Sequence, residues 1–357
     1  MVNAHAVGQQ TVSMSVRGFL LDHRRNPPAA TAGRAARLRA RALVACVGVM
    51  ALAATAAPAG EWPEKPVRVI IPFAAGGAAD VIGRLFADHL SAVFNQQFIV
   101  ENRPGAGGIV GAQTVARAEP DGYTLIGAGM SSHVLAPAAN KNPGYDPIGD
   151  FTHIAFFGGA PSVILVYPTL GVKSFSELVA YARSRRSLEY VSPGTGTVGN
   201  ILIEYIAAKE KLKLVHVPYR SGSGAIVDLL AGRVQVGSLN WSTARGQVAA
   251  GRLIPIGVSS SKRMADLPDL PTLSELGYPD MITTTWHMLA GPAGVPREIV
   301  GALNREVVRI VDRPDIRRAF ETDAIETRAM TPAELTAFVR SEVEKWTPVV
   351  QAAMKVE

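Results

Sequence analysis

The sequence predicts an α/β fold made of two lobes, with a ligand cleft between their glycine-rich loops. Three observations support this fold class. Short β-branched runs alternate with amphipathic helical stretches, which is typical of a parallel sheet with helical crossovers. The alternation occurs in two separate series along the chain. Loops rich in glycine and hydroxyl groups follow several of the runs, at the strand ends where open sheets bind ligands.

The first series contains three predicted strands, each followed by a loop at its carboxyl end. Residues 68–84 show the plan most clearly, because the β-branched run at residues 69–71 precedes a small-residue turn. Apolar residues at helical spacing then begin after Ala78. The predicted strands lie at residues 67–72, 98–100 and 122–127, and the predicted helices begin at residues 78 and 109.

The second series follows two strands that we predict at residues 151–157 and 163–167, with a glycine- and proline-containing break between them. The helix predicted at residues 174–184 has Ser174 as its N-cap and Glu177 as its capping-box partner. The remaining strands are predicted at residues 188–191, 214–217, 234–238, 254–259 and 286–290. Further helices are predicted at residues 198–208, 225–230 and 297–311 and from Thr331 onward. We assign residues 62–163 and 283–357 to one lobe and residues 164–282 to the other.

Residues 1–57 are predicted to be a leader that contains an export signal peptide. A basic region from Arg34 to Arg41 precedes an apolar stretch at residues 42–54, which is too short to span a membrane comfortably. Ala54-Thr55-Ala56 fits a signal-peptidase site, so we expect cleavage near Ala56 and a periplasmic mature protein. A permanent N-terminal anchor is the alternative. Lipidation of Cys46 is disfavoured, because the apolar run continues beyond it.

The formal net charge of +6 does not indicate a nucleic-acid partner. The first 57 residues hold seven of the 36 basic residues and one of the 30 acidic residues, so the rest of the chain is neutral. A chain that is 48% hydrophobic and neutral after its leader is expected to be globular. We therefore predict no nucleic-acid partner.

Metal, nucleophilic and nucleotide chemistry have weak support in the sequence. The five histidines after the leader are far apart, and no H-x-x-x-H or H-E-x-x-H spacing occurs. There is no G-x-S-x-G motif, and the neighbouring Ser131, Ser132 and His133 would point in different directions. The glycines between Gly105 and Gly111 resemble a dinucleotide fingerprint with altered spacing. We expect no cofactor and no enzymatic activity, and a nucleotide-dependent enzyme is kept as an alternative.

The glycine- and hydroxyl-rich loops at the strand ends are the remaining candidates for a binding site. The loop before Ala78 brings free N–H groups and the positive end of a helix dipole together. The loops at residues 192–197 and 219–224 have the same character, and a carboxylate held by several N–H groups is a strong acceptor. Asp228 either accepts a hydrogen bond from the ligand or lies on a solvated helix face. Trp241 either forms a wall of the cleft or fills the core.

Several motifs, in this order and spacing, resemble the Bug family, the extracytoplasmic solute receptors of tripartite tricarboxylate transporters. The resemblance runs from about Trp62 to Trp346. The motifs are Trp62-Pro63-x-Lys65-Pro66, Pro72-Phe73-x-x-Gly76-Gly77-x-x-Asp80, Asn102-Arg103-Pro104-Gly105-Ala106-Gly107-Gly108, Asp121-Gly122-Tyr123-Thr124-Leu125, Ser192-Pro193-Gly194-x-Gly196-Thr197, His216-Val217-Pro218-Tyr219, Asp228-Leu229-Leu230-Ala231-Gly232-Arg233-Val234, the run from Leu267 to Gly277, and Pro292-Ala293-Gly294-Val295-Pro296.

The resemblance implies a two-lobed periplasmic binding protein of the type II, Venus-flytrap class, which closes on a small organic carboxylate and delivers it to a membrane permease. It also implies that the first glycine loop and a loop of the other lobe hold one ligand carboxylate. We predict ligand binding by Phe73, Ala74, Gly76, Gly77, Ala79, Asp80, Ser131, Ser192, Gly194, Gly196, Thr197, Tyr219, Asp228 and Asn240. A receptor that signals to a membrane partner instead of a permease is an alternative.

The sequence also departs from the family pattern at several positions in these loops. Ala78 and Ala79 stand where the family often has proline followed by serine or threonine, so a side-chain hydroxyl is lost there. Asn200 occupies the position of a common histidine. Arg220 and Ser221 replace the usual lysine and glycine after the tyrosine. The identity of the ligand is therefore left open by the resemblance.

Overall fold

The structure, a computed structural model, describes residues 62–354 of the chain. The predicted leader, with its cleavage site near Ala56 and the single Cys46, lies outside the described residues. Within residues 62–354, no helix combines the length and the apolar character needed to cross a membrane.

The described chain alternates between strands and helices. The strands are β1 (Val67–Ile71), β2 (Phe98–Asn102), β3 (Thr124–Gly129), β4 (Phe151–Val166), β5 (Leu188–Ser192), β6 (Leu214–Pro218), β7 (Val236–Asn240), β8 (Ile254–Val258) and β9 (Thr284–Pro292). The helices are α1 (Ala78–Phe94), α2 (Ile109–Ala116), α3 (Phe175–Arg183), α4 (Val198–Glu210), α5 (Gly222–Leu230), α6 (Trp241–Ala249), α7 (Arg297–Val311), α8 (Pro314–Thr322) and α9 (Pro332–Met354). A wide helical turn, Ser131–Leu135, follows β3.

The strands form a continuous nine-stranded sheet with the order β2-β1-β3-β9-β4-β7-β5-β6, and β8 pairs with β4. The fold is two-lobed, and we name the lobe around β1, β2 and β3 lobe A and the lobe around β5, β6 and β7 lobe B. Strand β1 is parallel to β2 and β3, and β5 is parallel to β6 and β7, as expected for βα series. The two strands between these groups, β4 and β9, are antiparallel to their neighbours. The residue limits assigned to the lobes remain a prediction.

Strand β4 corrects one prediction, because residues 151–157 and 163–167 form one strand instead of two. The 16-residue strand pairs with β9 from Phe151 to Pro161 and with β7 from Ser162 onward. Its register against β9 shifts between Phe156 and Gly158, so the glycine marks a bulge that bends the strand without ending it. The strand therefore passes from lobe A into lobe B.

The helices cover the sheet by burying one apolar side. On α1, Ile82, Phe86 and Leu90 are buried, and the Phe86 ring stacks on Phe157 of β4 with 3.9 Å between the ring centroids. These residues belong to a core that also includes α7 and α8. Lobe B has its own core around α5 and α6, and Trp241, which is 3% exposed, is part of it. Of the two alternatives for Trp241, the structure shows the core residue.

Helix α9 begins as the sequence predicts. The hydroxyl of Thr331 accepts a hydrogen bond from the Glu334 N–H, and the Glu334 carboxylate accepts one from the Thr331 N–H. The helix buries a stripe of apolar residues made by Leu335, Val339, Trp346 and Val350. It packs against α4, β4 and the wide turn after β3, so it contacts elements of both lobes.

Candidate ligand-binding site

A cavity of about 50 Å³ lies between the two lobes, where the loops after several strands meet. The carboxyl ends of β1, β3, β5 and β7 contribute to it, as the topology of parallel strands predicts. It is lined by Phe73, Gly77, Ala78, Ala79, Gly129, Met130, Ser131, Ser132, Ser162, Pro193, Thr197, Val198, Gly199, Ser221, Gly222, Asn240, Thr243, Thr285 and His287.

The lobes contact each other beside this cavity. The Ala74 N–H donates to the Arg220 carbonyl oxygen at 3.1 Å, and the Ser223 hydroxyl donates to the Ala75 carbonyl oxygen at 3.2 Å. A Cβ atom at position 77 would lie 3.3 Å from the Cβ of Ser221, so glycine allows this close approach. The structure therefore shows the cleft closed.

Four helices begin at the cavity. Their N-cap residues are Gly77 for α1, Thr197 for α4, Ser221 for α5 and Asn240 for α6, and all four line the cavity. Only Ser221 uses its side chain as a cap, by accepting a hydrogen bond from the Gly224 N–H. The first N–H groups of a helix have no acceptor within the helix, and its dipole is positive at that end. The four helix starts together therefore favour an anionic ligand.

No aspartate, glutamate, lysine or arginine is among the described residues that line the cavity. The only titratable side chain there is His287, which is 6% exposed. Burial lowers the pKa of His287 to about 4, so its imidazole is neutral at pH 7. Two buried polar atoms at the cavity, Nε2 of His287 and Oδ1 of Asn240, have no hydrogen-bond partner in the protein. Both residues line the cavity, so these are the buried polar atoms nearest to a bound ligand that lack a partner in the protein.

Asp80 is the charged residue nearest in sequence to the first glycine loop, and it stabilises that loop from behind. Its carboxylate accepts hydrogen bonds from the Gly76 N–H at 2.9 Å, from Asn102 Nδ2 at 2.8 Å and from Arg84 Nε at 3.1 Å. Burial raises the pKa of this carboxyl, but these hydrogen bonds outweigh burial and hold the pKa below its usual 3.8. Asp80 lies outside the cavity lining and determines the shape of the loop.

The structure brings together six of the fourteen predicted site residues at the cavity: Phe73, Gly77, Ala79, Ser131, Thr197 and Asn240. Of the others, Ala74 and Gly76 belong to the same loop as Gly77, and their N–H groups are bonded to Arg220 and Asp80 respectively. These hydrogen bonds indicate that Ala74 and Gly76 help to form the loop.

The other loop predicted to bind the ligand, at residues 192–197, is ordered by its own hydrogen bonds. The Ser192 hydroxyl contacts His216 Nε2 at 2.7 Å and accepts from the Gly194 N–H at 3.1 Å. The Gly196 N–H donates to Asn200 Oδ1 at 2.9 Å. Ser192, Gly194 and Gly196 lie outside the lining and present Thr197 and the start of α4 to the cavity.

Tyr219 and Asp228 are also outside the cavity, and they bind each other. The Tyr219 hydroxyl donates to the Asp228 carboxylate, which also pairs with Arg233 Nη1 at 2.6 Å. The hydrogen bonds from Tyr219 and Arg233 lower the pKa of Asp228. Asp228 lies on α5 and is partly buried by these partners, and its contact with a ligand remains a prediction.

Several residues at the cavity were absent from the sequence-based prediction. Ser162 of β4 and Thr285 of β9 place their hydroxyl oxygens 3.5 Å apart, and Thr243 lies on the first turn of α6. His287 lies within β9 and pairs in register with Gly129 of β3. These positions are inside strands or in an unpredicted helix, so no loop motif marks them.

The glycines at residues 105–111 allow the loop after β2 to pack closely against neighbouring loops. A Cβ atom at Gly107 would lie 2.3 Å from the Thr195 carbonyl oxygen, and one at Gly108 would lie 2.8 Å from the Ser132 Cβ. These close contacts connect the loop after β2 to the cleft walls. In the described part of the chain, no group of three or more histidine, cysteine or acidic residues is placed to hold a metal ion.

Residues 82–354 match the model of the tripartite tricarboxylate transporter family receptor. The chain belongs to this receptor family. It is 30% identical to the protein BugT of Bordetella pertussis over 315 residues, which cover 87% of this chain and 96% of BugT. The family resemblance seen in the sequence motifs is thereby confirmed.

Two solved structures have the same fold. Rpa4515 of R. palustris, solved with adipate, is 31% identical with a TM-score of 0.78, covering 82% of this chain and 98% of that one. MatC of Rhodopseudomonas palustris, solved with bound malate, is 30% identical with a TM-score of 0.77, covering 81% of this chain and 100% of that one. The receptor family consists of periplasmic solute-binding proteins and not of enzymes.

Proposed function

We propose that this receptor captures a small organic carboxylate and delivers it to a membrane permease of the tripartite tricarboxylate type. The observation that carries the proposal is the convergence of four helix N-termini on one cavity that lacks charged side chains among its described lining residues. Such a site offers N–H donors and positive dipole ends to an anion. The adipate and malate bound to the two related structures support the same ligand class.

The two lobes supply the donors jointly. Helix α1 begins in lobe A, whereas α4, α5 and α6 begin in lobe B. A carboxylate between them accepts hydrogen bonds from both sides only when the lobes are close together. The ligand therefore binds the closed state better than the open state and shifts the population toward closure.

The proposed partner and location follow from the family and the leader. The family description names a transporter receptor, which supports a permease as the recipient of the ligand. The signal peptide that the sequence predicts, with cleavage near Ala56, supports release of the receptor into the periplasm. Mass spectrometry of the exported protein tests the cleavage site, and co-purification with a membrane permease in the presence of ligand tests the partner.

A thermal-shift screen of the purified protein tests the ligand class. The panel contains mono-, di- and tricarboxylates, with nucleotides and polyamines as controls of other chemistry. A carboxylate at one hundred times its dissociation constant stabilises the native state by about 2.7 kcal/mol, which gives a clear shift of the melting temperature. Hits are confirmed by calorimetry. Stabilisation by nucleotides or polyamines and not by carboxylates would contradict the proposal.

A further inference from the structure

His287 occupies an unusual place in the cavity wall. It lies on β9 opposite Gly129 of β3, where a Cβ atom at position 129 would be 3.1 Å from Nδ1 of His287. The same Cβ atom would lie 2.1 Å from the Trp286 carbonyl oxygen, so glycine at position 129 allows the backbone of β9 and the imidazole ring to approach β3 closely. The ring is buried, and its Nε2 has no partner in the protein. A buried polar atom without a partner costs free energy unless a ligand or water supplies one.

The chemistry of this ring restricts the group that it can contact. A neutral imidazole has one donor nitrogen and one acceptor nitrogen. The ring is neutral because it is buried with no acidic side chain among the described residues lining the cavity, and this burial lowers its pKa to about 4. A hydroxyl group can pair with Nε2 in either tautomer of the ring, because a hydroxyl both donates and accepts.

We propose that His287 is a specificity-determining residue that selects carboxylates bearing a hydroxyl group over matched carboxylates bearing hydrogen or an ammonium group. This inference rests on the proposed function and names the substrate class of the same site. The ligand carboxylate accepts from the helix starts, and the hydroxyl contacts the imidazole.

The ammonium group of an amino acid does not fit the same place. Its positive charge would be buried near four positive helix ends, and the described cavity lining offers no carboxylate to offset it. A ligand with hydrogen at that position avoids the charge but leaves Nε2 of His287 unpartnered. Both replacements therefore weaken binding.

The test uses matched triplets that differ only in one substituent. They are glycolate, acetate and glycine; lactate, propionate and alanine; malate, succinate and aspartate; and 2-hydroxyglutarate, glutarate and glutamate. Affinities of the purified protein are measured by calorimetry. In every triplet that binds, we expect the hydroxy acid to bind at least about tenfold more tightly than either counterpart, since an unpaired buried group costs that much or more.

Two variants assign the preference to the imidazole. His287→Leu removes both ring nitrogens and is expected to bring the hydroxy and unsubstituted acids to within about threefold of each other. His287→Gln keeps a donor and an acceptor and retains part of the preference. His89→Leu, on α1 outside the cavity, is the matched control and keeps the full preference. If His287→Leu does not fold, the triplet affinities of the unaltered protein and of His287→Gln still test whether the imidazole causes the preference for hydroxy acids.

The outcomes separate the inference from the proposed function. Equal affinity within a triplet, or tighter binding of the amino acid, overturns the role of His287 and leaves the carboxylate receptor in place. An unchanged preference in His287→Leu also overturns it. If no carboxylate of any triplet or of the wider screen binds, the proposed function fails and the inference fails with it.

Discussion

At the scale of single residues, Asp80 shows how a buried charge organises a loop without contacting the ligand site. Its carboxylate holds the Gly76 N–H, the Asn102 amide and the Arg84 guanidinium. Asn102 also donates to the Phe73 carbonyl oxygen at 3.0 Å, so the network fixes both ends of the loop after β1. Three donors to one carboxylate compensate its removal from water.

Replacing Asp80 by alanine is expected to destabilise the protein. The change removes the common acceptor of three hydrogen bonds, from the Gly76 N–H, the Asn102 amide and the Arg84 guanidinium, which costs about 2 kcal/mol of the free energy of unfolding. Urea denaturation at pH 7 measures the loss. Asp88→Ala, at an exposed position of the same helix, is the control and stays within about 0.5 kcal/mol of the unaltered protein. Equal stability of the two variants would contradict the role of Asp80.

The stability difference between the unaltered protein and Asp80→Ala is expected to depend on pH. The pKa of Asp80 in the folded state lies below its usual 3.8, so its contribution to stability is complete above that pH. The contribution is lost as the pH falls through the folded-state pKa. We expect the stability difference between the unaltered protein and Asp80→Ala to be constant from about pH 5 to 7 and to narrow below about pH 4. A difference that widens in acid would contradict this assignment.

At the scale of elements, the loops after β1 and before α5 work as a pair. Gly77 has φ −83° and ψ 169°, a conformation open to any L-residue, so its lack of a side chain matters for space and not for strain. The space is needed because Ser221 and Gly222 of the other lobe approach it closely. The start of α1 thereby reaches the cavity together with the start of α5.

Gly77→Val is expected to weaken ligand binding at least about tenfold while leaving the fold intact. The added methyl groups would overlap Ser221 in the closed cleft, and the backbone conformation tolerates valine when the cleft is open. Calorimetry measures the affinity, and the melting temperature without ligand reports the fold. Gly246→Val, where an added Cβ meets nothing within 4 Å, is the control for a glycine on a helix. Wild-type affinity in Gly77→Val would remove this loop from the binding site.

Local patterns were sufficient to predict most of the elements that surround the site. The β-branched run before the first glycine turn, the cap at Ser174 and the proline start of α9 all act within a few residues, so the sequence reveals them. Helix α6 was missed, because the stretch Trp241–Ala249 contains a glycine and buries only Trp241 and Ala244. Its apolar pattern is therefore too weak to identify a helix.

The candidate site was less predictable than the fold, since it depends on contacts between distant residues. Phe73, Gly77 and Thr197 lie in loops that a motif marks, and they reach the cavity. His287 lies in the middle of an apolar strand, and its place at the cavity follows from its register opposite Gly129 of β3. Such a register is fixed by the whole sheet and not by neighbours in sequence.

At the scale of the whole molecule, the lobes contact each other at the cleft and also pack together where the loop after β2 meets Thr195 and where α9 meets α4. The hydrogen bonds from Ala74 to Arg220 and from Ser223 to Ala75 lie at the edge of the cleft. A net hydrogen bond contributes only about 0.5–1.5 kcal/mol, so these two bonds make a modest contribution to the closed state. A ligand held by both lobes is expected to stabilise the closed state further.

Small-angle X-ray scattering tests this expectation. We expect a saturating carboxylate ligand to reduce the radius of gyration of the protein, and Ser223→Ala to weaken ligand affinity by about two- to tenfold through the lost contact with Ala75. Ser341→Ala, on the exposed side of α9, is the control and leaves affinity unchanged. An unchanged radius of gyration on binding would show that closure precedes the ligand.

Strand β4 restricts how the two lobes can move relative to each other. It runs without interruption from one lobe into the other and stays paired with β9 over most of that path. Two strands joined by a ladder of hydrogen bonds can flex and twist together, but neither can swivel about a single bond. The lobes are therefore connected by a paired segment that resists free rotation, and we expect closure to bend and twist that segment as one unit.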